Sequence, residues 1–229
     1  MPTNTWIASE PGQASNPANW SLGRAPIAGD TVIFDGTSGN NCSWDLAPNL
    51  AAFNMAAYPT ASIIYLAADL FCTALIGSQS GGKIDGGNPA KTVTCSGDAV
   101  VPQSSNRGIR LVMTGDGTKL TSYSTAYVIE SLNFSANVQA QNDISSCNLT
   151  IGAGKTYDLN GRKHDLYVYY GQLNNLGEVK NGKLVLITRY SSMVELDPGL
   201  INANLEIRGF IDSNANSLVN LTVNASIGG

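Results

Sequence analysis

A short phrase that recurs along the chain constrains the fold more than any other feature. Its clearest copies are Asn148-Leu149-Thr150-Ile151, Asn204-Leu205-Glu206-Ile207 and Asn220-Leu221-Thr222-Val223, with looser copies at Ser131-Leu132-Asn133-Phe134, Asp165-Leu166-Tyr167-Val168 and Lys183-Leu184-Val185-Leu186. Leu75, Val93 and Leu111 extend the series upstream. The first apolar residue of the phrase recurs at intervals of roughly 16 to 21 positions, and a nearly fixed period of this kind indicates stacked repeats.

Apolar residues alternate within each phrase, which predicts a short strand with one buried face. Turn-forming residues such as Gly152-Ala153-Gly154, Asn160-Gly161 and Asp197-Pro198-Gly199 separate the phrases. An Asn-Gly pair normally favours an antiparallel hairpin, and a sandwich of strands spaced about 8 to about 12 residues apart is the main alternative. The phrases lie about twice that distance apart. We therefore predict coils of two or three short strands, each stacked on its equivalent in the next coil.

The composition agrees with tight turns and long stacked faces, because the 229 residues include 24 glycines and only 13% charged residues. The net charge is -4 and the 13 basic residues are scattered, which argues against a nucleic-acid partner. The first residues lack the basic and apolar regions of a signal peptide. No apolar stretch approaches the roughly 18 residues that span a bilayer, so we expect no membrane partner.

Neither the cysteines nor the single histidine forms a recognisable metal-binding pattern. Cys42, Cys72, Cys95 and Cys147 include no CxxC pair, so we predict small buried residues in a narrow core and no metal or other cofactor. Little more than one coil separates Cys72 from Cys95, and the two residues are candidates to meet between neighbouring rungs. His164 is expected to be a surface residue in a turn.

The segment 1–46 lacks the phrase and is predicted to be a capping or attachment segment, followed by a solenoid over residues 47–229. An open sheet edge at the first rung favours aggregation, so this segment should cover it, with Trp6, Trp20 and Phe34 as its apolar contacts. The last phrase is followed by no capping helix and no charged run. We expect another subunit to bury that end.

Two blocks of the sequence resemble known solenoid proteins. The stretch Leu149-Thr150-Ile151-Gly152-Ala153-Gly154-Lys155-Thr156-Tyr157-Asp158-Leu159-Asn160-Gly161, followed by Leu176-Gly177-Glu178-Val179-Lys180-Asn181-Gly182-Lys183-Leu184, resembles right-handed parallel β-helix repeats of autotransporter passenger domains and phage tailspike-like proteins. The blocks Asn19-Trp20-Ser21 to Pro26, Gly29-Asp30-Thr31-Val32-Ile33-Phe34-Asp35 and Cys42-Ser43-Trp44-Asp45 are similar to an opening block of bacterial and phage β-solenoid proteins. The resemblance implies an all-β chain with a single right-handed parallel β-helix (β-solenoid) and an N-terminal capping segment.

The scaffold alone does not specify a function, since it serves adhesins, sugar-cleaving enzymes and inert spikes. In a short chain without a leader, the resemblance implies a structural virion surface protein, either a phage capsid decoration protein or a short fibre. Such a protein acts by assembly and contact rather than by catalysis. We expect a homotrimer that contacts a capsid or tail protein by its ends. The expected location is the virion, with the extracellular space or the bacterial cell surface as the alternative.

The alternatives are a bacterial surface adhesin and a polysaccharide-binding or polysaccharide-cleaving tailspike-like enzyme. Polysaccharide-cleaving β-helices place two carboxylates across a groove. Stacking one coil apart would bring Asp143 towards Asp158, or Glu178 towards Glu195 and Asp197. Any solenoid with scattered acids offers such pairs, so we predict that the protein is not an enzyme.

An outward-facing aromatic patch is the candidate binding site for a glycan or a protein. Leu166 is expected to point inward, so strand alternation turns its neighbours outward. Tyrosines suit interfaces because they combine a large apolar area with a polar tip. Packing against a loop is the alternative role. The predicted binding residues are Tyr167, Tyr169, Tyr170, Arg189 and Tyr190.

Overall fold

The structure, a computed structural model, describes residues 1–103, 108–123, 129–167, 173–189, 196–197 and 200–210. These residues form a parallel β-solenoid of about 7 turns that contains almost no helix, which confirms the all-β solenoid prediction. A 3₁₀ turn spans Pro17–Asn19. The strands are β1 (Thr3–Thr5), β2 (Gly12–Gln13), β3 (Thr31–Ile33), β4 (Cys42–Trp44), β5 (Asn49–Asn54), β6 (Ile63–Leu66), β7 (Leu70–Ile76), β8 (Lys83–Asp85), β9 (Thr92–Cys95), β10 (Ala99–Val101), β11 (Ile109–Met113), β12 (Thr118–Ser122), β13 (Ile129–Phe134), β14 (Val138–Ala140), β15 (Ile144–Ser146), β16 (Asn148–Ile151), β17 (Thr156–Asp158), β18 (Lys163–Tyr167), β19 (Leu173–Asn175), β20 (Glu178–Arg189), β21 (Leu196–Asp197) and β22 (Leu200–Phe210).

The coils lay short strands on up to three faces, and every described strand pairs in parallel with its equivalents in the neighbouring coils. The first face contains β9, β11, β13, β16, β19 and β21. The second contains β1, β3, β10, β12, β14 and β17, and the third contains β2, β4, β6 and β8 in the early coils and β15 and β18 later. The long strands β5, β7, β20 and β22 contribute to two faces each. The antiparallel sandwich alternative is therefore wrong.

The recurring phrase marks more than one face. Leu111, Leu132 and Leu149 lie in register on the first face, as a single column requires. Leu149 then pairs with Leu173, whereas Leu166 belongs to β18 on the third face. The chain between Leu149 and Leu166 therefore leads from one face to another, and the full coil ends only at Leu173. The nearly constant spacing of the phrases conceals coils of unequal length.

Asn-Gly pairs turn corners between faces instead of closing hairpins. Asn160 and Gly161, with φ of 51° and 75°, connect β17 to β18. Asn181, with φ of 56°, lies where the register between β20 and β22 shifts. Asn and Gly adopt this left-handed conformation at low cost, so a signal typical of hairpins occurs in a wholly parallel ladder.

The interior is a continuous apolar core in which side chains stack from coil to coil. On the second face Phe53, Leu75, Ala99 and Leu120 follow one another in register, and all four are 0% exposed. Burial of a large apolar side chain contributes about 1.5 to 3 kcal/mol, so such columns supply the main stabilising free energy. A small side chain between large ones lets neighbouring coils interdigitate.

The parallel ladder begins inside the predicted capping segment. β1 pairs with β3, β3 pairs with β5, and β2 pairs with β4. The ladder therefore crosses the predicted boundary between 1–46 and 47–229 without a break. Residues 14–30 leave the ladder between β2 and β3, and part of this segment returns along β1.

Residues 19–22 cover the free edge of β1, as the sequence predicts for the first rung. The backbone N–H of Ser21 donates to the Thr5 carbonyl at 2.9 Å, and that of Ile7 donates to the Asn19 carbonyl at 2.9 Å. The segment runs antiparallel to β1, with a bridge between Trp6 and Trp20. Because β3 pairs with the opposite edge of β1, both edges of the first strand are occupied.

Aromatic rings hold this covering segment in place. The ring of Trp20 lies 5.1 Å from Trp6, 5.7 Å from Phe34 and 6.5 Å from Trp44, measured between centroids. Trp20 Nε1 also donates to the Ala14 carbonyl at 2.7 Å. Trp6, Trp20 and Phe34 are at most 1% exposed, as apolar contacts beneath this covering segment would be.

Candidate functional site

The predicted tyrosine patch falls mostly outside the described residues. Tyr169, Tyr170 and Tyr190 lie outside them. Of Arg189 the structure describes the backbone, which pairs with Phe210 at the end of β20. The predicted contact surface formed by these four residues therefore stays a prediction.

Tyr167 is the member of the patch whose side chain the structure describes. It is the last residue of β18, is partly buried and lies in register with Ile187. Leu166 is 0% exposed, so the predicted alternation along this strand is confirmed. Tyr167 accordingly faces away from the core, and its role in binding stays a prediction.

Exposed apolar side chains collect at the N-terminal end of the solenoid. Among the described residues six large hydrophobic side chains are exposed, and four of them lie at or before Ile27. We call these four the cap patch: Met1 (93% exposed), Ile7 (40%), Leu22 (46%) and Ile27 (55%). Ile7 and Leu22 flank the antiparallel pairing that covers β1, so the patch lies around the covered first rung. The tryptophans of this region were predicted from the sequence, but its exposed aliphatic residues were not.

An ion pair between Arg24 and the buried Asp30 holds the turn that carries Ile27. The guanidinium of Arg24 donates to both carboxylate oxygens of Asp30, at 2.6 and 2.9 Å, and Asp30 is 1% exposed. The backbone N–H of Ile27 donates to the same carboxylate at 3.0 Å. The hydrogen bonds from Arg24 hold the pKa of Asp30 below its usual value, against the opposing effect of burial. The turn is therefore rigid before any partner binds.

A row of polar side chains runs along the outside of the second face. Lys119, Gln139, Asp158, Lys180 and Asn202 lie in register, one per coil. Each of the middle three directly follows a buried residue of its strand, so strand alternation turns it outward. The middle three residues of the row line an open cleft of about 340 Å³. The residues that line the cleft are Gly117, Asn137, Val138, Gln139, Thr156, Asp158 and Lys180.

Aspartate and asparagine side chains near the corners tie successive coils together. Asp98 accepts the backbone N–H of Lys119, Asp116 accepts that of Asn137, and the Asn137 side chain accepts that of Thr156, all at 2.8 to 2.9 Å. The hydrogen bond from the Asn137 backbone lowers the pKa of Asp116. These acids serve as acceptors for the backbone of the next coil. Equivalent bonds join Asp69 to Thr92 and Asp143 to Lys163.

The carboxylate pair Asp143 and Asp158, considered for a hydrolase, does not form. Asp158 lies in register with Gln139 and Lys180 on the second face. Asp143 lies at the corner before β15 and bonds to the Lys163 backbone at 2.9 Å. The two acids belong to different columns of the solenoid, so the register does not stack one on the other.

The second carboxylate pair also separates onto different faces. Glu178 is in register with Thr156 on the second face, whereas Asp197 is in register with Asn174 on the first. Glu195 lies outside the described residues. Stacking therefore does not bring Glu178 and Asp197 together.

His164 is buried, and its prediction as a surface turn residue is wrong. It lies within β18 at 0% exposure, in register between Ile144 and Leu184. Its Nε2 lies 2.9 Å from Ser146 Oγ, and its Nδ1 lies 3.2 Å from the Tyr157 hydroxyl. Burial lowers the pKa of His164 to about 3, so the imidazole is neutral at pH 7.

The side chains of Ser146, His164 and Tyr157 form an enclosed hydrogen-bond chain. Ser146 Oγ also lies 3.2 Å from the Asn148 carbonyl. The tautomer in which Tyr157 donates to His164 Nδ1, and His164 Nε2–H donates to Ser146, gives every hydroxyl and ring nitrogen a partner. Ser146, Tyr157 and His164 are each 0% exposed, so no substrate reaches them in this state. The chain is a satisfied polar network of the core.

No family model, curated protein or solved structure matches the chain. The function therefore has to be argued from geometry. Over the ranges that the structure describes, no group of three or more His, Cys, Asp or Glu side chains is placed to hold a metal ion. Within the same ranges no helix has the length and hydropathy needed to cross a membrane.

Proposed function

We propose that this protein is a structural component of a phage particle surface, a capsid decoration protein or a short fibre, that acts by assembly and contact rather than by catalysis. The observation that carries the proposal is the cap patch. It places four of the six exposed large hydrophobic side chains of the described residues within the first 27 residues, at the end of the solenoid where the first coil lies. Contiguous exposed apolar surface marks protein contact sites, and four exposed residues so near one end of the solenoid favour such a surface there.

The segment beneath the patch favours a rigid docking contact. Trp20 anchors it in the aromatic cluster, and the Arg24 and Asp30 pair fixes the turn next to Ile27. A surface that is ordered before binding loses little conformational entropy on association, so its apolar burial contributes more fully to affinity. We assign this end to the capsid or tail protein that the particle provides.

The acidic side chains support a structural role in a second way. Asp69, Asp98, Asp116 and Asp143 each accept a backbone N–H of the following coil. A carboxylate with this task stabilises the stack of coils and is held in one orientation. The two carboxylate pairs considered for polysaccharide cleavage are separated by the register.

Binding to particles that lack this protein tests the proposal. We expect purified wild-type chain to co-sediment with particles from a phage mutant without the gene, and Ile27→Glu to reduce the bound fraction at least tenfold. A charge in an apolar contact loses burial and leaves an unpaired carboxylate. Leu176→Glu is the matched control, because Leu176 and Ile27 are both 55% exposed while Leu176 lies far along the chain.

Two results would contradict the proposal. One is a wild-type chain that does not co-sediment with the particles. The other is an Ile27→Glu variant that binds as strongly as the Leu176→Glu variant.

Light scattering on the same samples gives the oligomeric state. The proposed homotrimer has three times the mass of the 24.0 kDa chain. A 24.0 kDa species at micromolar concentration rules out the trimer.

The cleft on the second face favours glycan binding as a second candidate function. Its polar row offers an amide, a carboxylate and an ammonium group at consecutive rungs, on Gln139, Asp158 and Lys180. Rungs are about 4.8 Å apart, so the groups form a regular array of donors and acceptors suited to the hydroxyl groups of an extended polysaccharide. Asp158 is oriented by the Asn160 backbone N–H, which it accepts at 2.8 Å.

A panel of neutral and acidic bacterial polysaccharides tests the cleft. We expect Lys180→Ala to weaken binding at least tenfold, because Lys180 lines the cleft. Lys119→Ala is the matched control, since Lys119 belongs to the same row but does not line the cleft. Titration calorimetry measures the affinities. Equal affinities of the two variants would contradict glycan binding in this cleft. Release of reducing ends would support the polysaccharide-cleaving alternative instead.

A further inference from the structure

Two cysteines of adjacent coils face each other in the core. Cys72, in β7, lies in register with Cys95, in β9. Both belong to the continuous apolar core, at 2% and 0% exposure, and both are free thiols in this structure. The sequence prediction that the two residues meet between neighbouring rungs is confirmed.

The backbone geometry of the pair suits a disulfide. Neighbouring strands lie about 4.8 Å apart, so in-register residues have Cα atoms at roughly that distance. Disulfides join residues whose Cα atoms are about 4.4 to 6.8 Å apart. The other two cysteines are placed differently: Cys42 is in register with Gly12 and Ile64, and Cys147 lies between β15 and β16.

We propose that Cys72 and Cys95 form a disulfide between adjacent coils when the chain folds in the presence of a small-molecule disulfide such as oxidised glutathione. The thiolate of one cysteine attacks the glutathione disulfide, which forms a mixed disulfide and releases one glutathione thiolate. The second cysteine attacks the protein sulfur of that mixed disulfide and releases the second glutathione. Two cysteine thiols are oxidised to one disulfide, and one glutathione disulfide is reduced to two thiols.

The pair is closed to solvent in the folded chain, so the exchange belongs to folding, before β9 has stacked on β7. In the folded state Cys95 Sγ lies 3.2 Å from the Thr73 carbonyl oxygen. The hydrogen bond with Cys95 and burial raise the pKa of Cys72, which keeps its thiol unreactive once the core has closed. The bond links in-register residues of adjacent coils and so closes one coil. It ties the N-terminal coils to the middle of the solenoid.

Refolding with oxidised and reduced glutathione, followed by alkylation under denaturing conditions and mass spectrometry, tests the proposal. The measurement is best made on the variant Cys42→Ala. Trypsin leaves Cys42 and Cys72 on the same peptide, residues 25–83, so removal of Cys42 assigns any link from that peptide to Cys72. Cys95 lies on the peptide of residues 92–107. We expect those two peptides to be linked. We also expect the oxidised protein to melt about 5 to 10 °C higher than the reduced protein.

The variants Cys72→Ser and Cys95→Ser should each abolish the linked peptides, whereas Cys147→Ser should retain them. Three alkylated cysteines after oxidative refolding of the Cys42→Ala variant would overturn the proposal, as would a bond to Cys147. A lower melting temperature in the oxidised protein would also overturn it, since the native register would then be strained by the bond. The readouts use the purified chain alone and are independent of particle and glycan binding.

Discussion

Replacing Trp20 with alanine is expected to lower the free energy of unfolding by about 4 kcal/mol. Truncation of a buried tryptophan or phenylalanine to alanine typically costs about 3 to about 5 kcal/mol. The indole is 1% exposed and contacts the rings of Trp6, Phe34 and Trp44. Its Nε1–H donates to the Ala14 carbonyl, which loses that donor in the variant. Urea denaturation followed by far-UV circular dichroism measures the change.

The same substitution should expose the edge of β1. Trp20 pairs with Trp6 across the antiparallel contact, so loss of its ring releases the segment that supplies the Ser21 hydrogen bond to Thr5. An unpaired parallel edge recruits other chains, and we expect concentration-dependent light scattering from the variant. Leu22→Ala is the control, because Leu22 is 46% exposed and its truncation should cost less than about 0.5 kcal/mol. A loss below about 1.5 kcal/mol for Trp20→Ala would contradict this account of the cap.

The need for a cover over the first rung could be predicted from the sequence, but its form could not. Three large aromatic residues in a segment without the repeat indicate a cap, since a stacked ladder cannot leave such rings in water. The antiparallel course of residues 19–22 depends on backbone hydrogen bonds such as that from Ser21 to Thr5. Such bonds use groups that every residue carries, so they leave no signal in the side chains.

The columns of the core were predictable only where successive coils repeat the same pattern. Leu111, Leu132 and Leu149 could be aligned because each begins an alternating apolar pair on the same face. Leu166 begins an equally apolar pair on another face, and nothing in its own phrase distinguishes the two faces. Corner lengths decide the assignment, and corners tolerate insertions because they lie on the surface.

The polar row that lines the cleft could have been predicted from the sequence. Gln139, Asp158 and Lys180 each follow a buried apolar residue of the second face, so the register of the core also fixes the register of the surface. The same alternation of side chains along a strand applies to His164. If Leu166 points inward, the residue two positions before it points inward as well. The polarity of histidine favoured a surface position, and tertiary hydrogen bonds overrode that preference.

The buried histidine makes the stability of the fold depend on pH in a defined window. Its pKa is about 3 in the folded state because burial disfavours the imidazolium, against about 6.5 in an unfolded chain. Protonation would also take away the acceptor of the Tyr157 hydroxyl, which lies 3.2 Å from Nδ1. The unfolded state therefore binds one more proton between these two values. The contribution of His164 is complete above about pH 6.5 and is lost progressively as the pH falls towards 3.

We expect His164 to account for a loss of about 2.5 kcal/mol in the free energy of unfolding between pH 7 and pH 4.5. His164→Gln replaces the imidazole with an amide that does not titrate, so the variant should lack this part of the pH dependence whatever its stability at pH 7. Urea denaturation of both proteins at the two pH values gives the difference. Carboxylates that titrate in the same range contribute equally to both proteins and cancel.

Nuclear magnetic resonance supplies a second measurement that does not require the variant to fold. The chain contains 1 histidine, so its imidazole signals need no assignment. In the folded protein we expect the signals of the neutral ring to stay unchanged from pH 7 down to about pH 4.5, whereas an exposed histidine titrates near 6.5. A midpoint between 6 and 7 would contradict the enclosed chain of Ser146, His164 and Tyr157, because only a hydrated imidazole keeps that value.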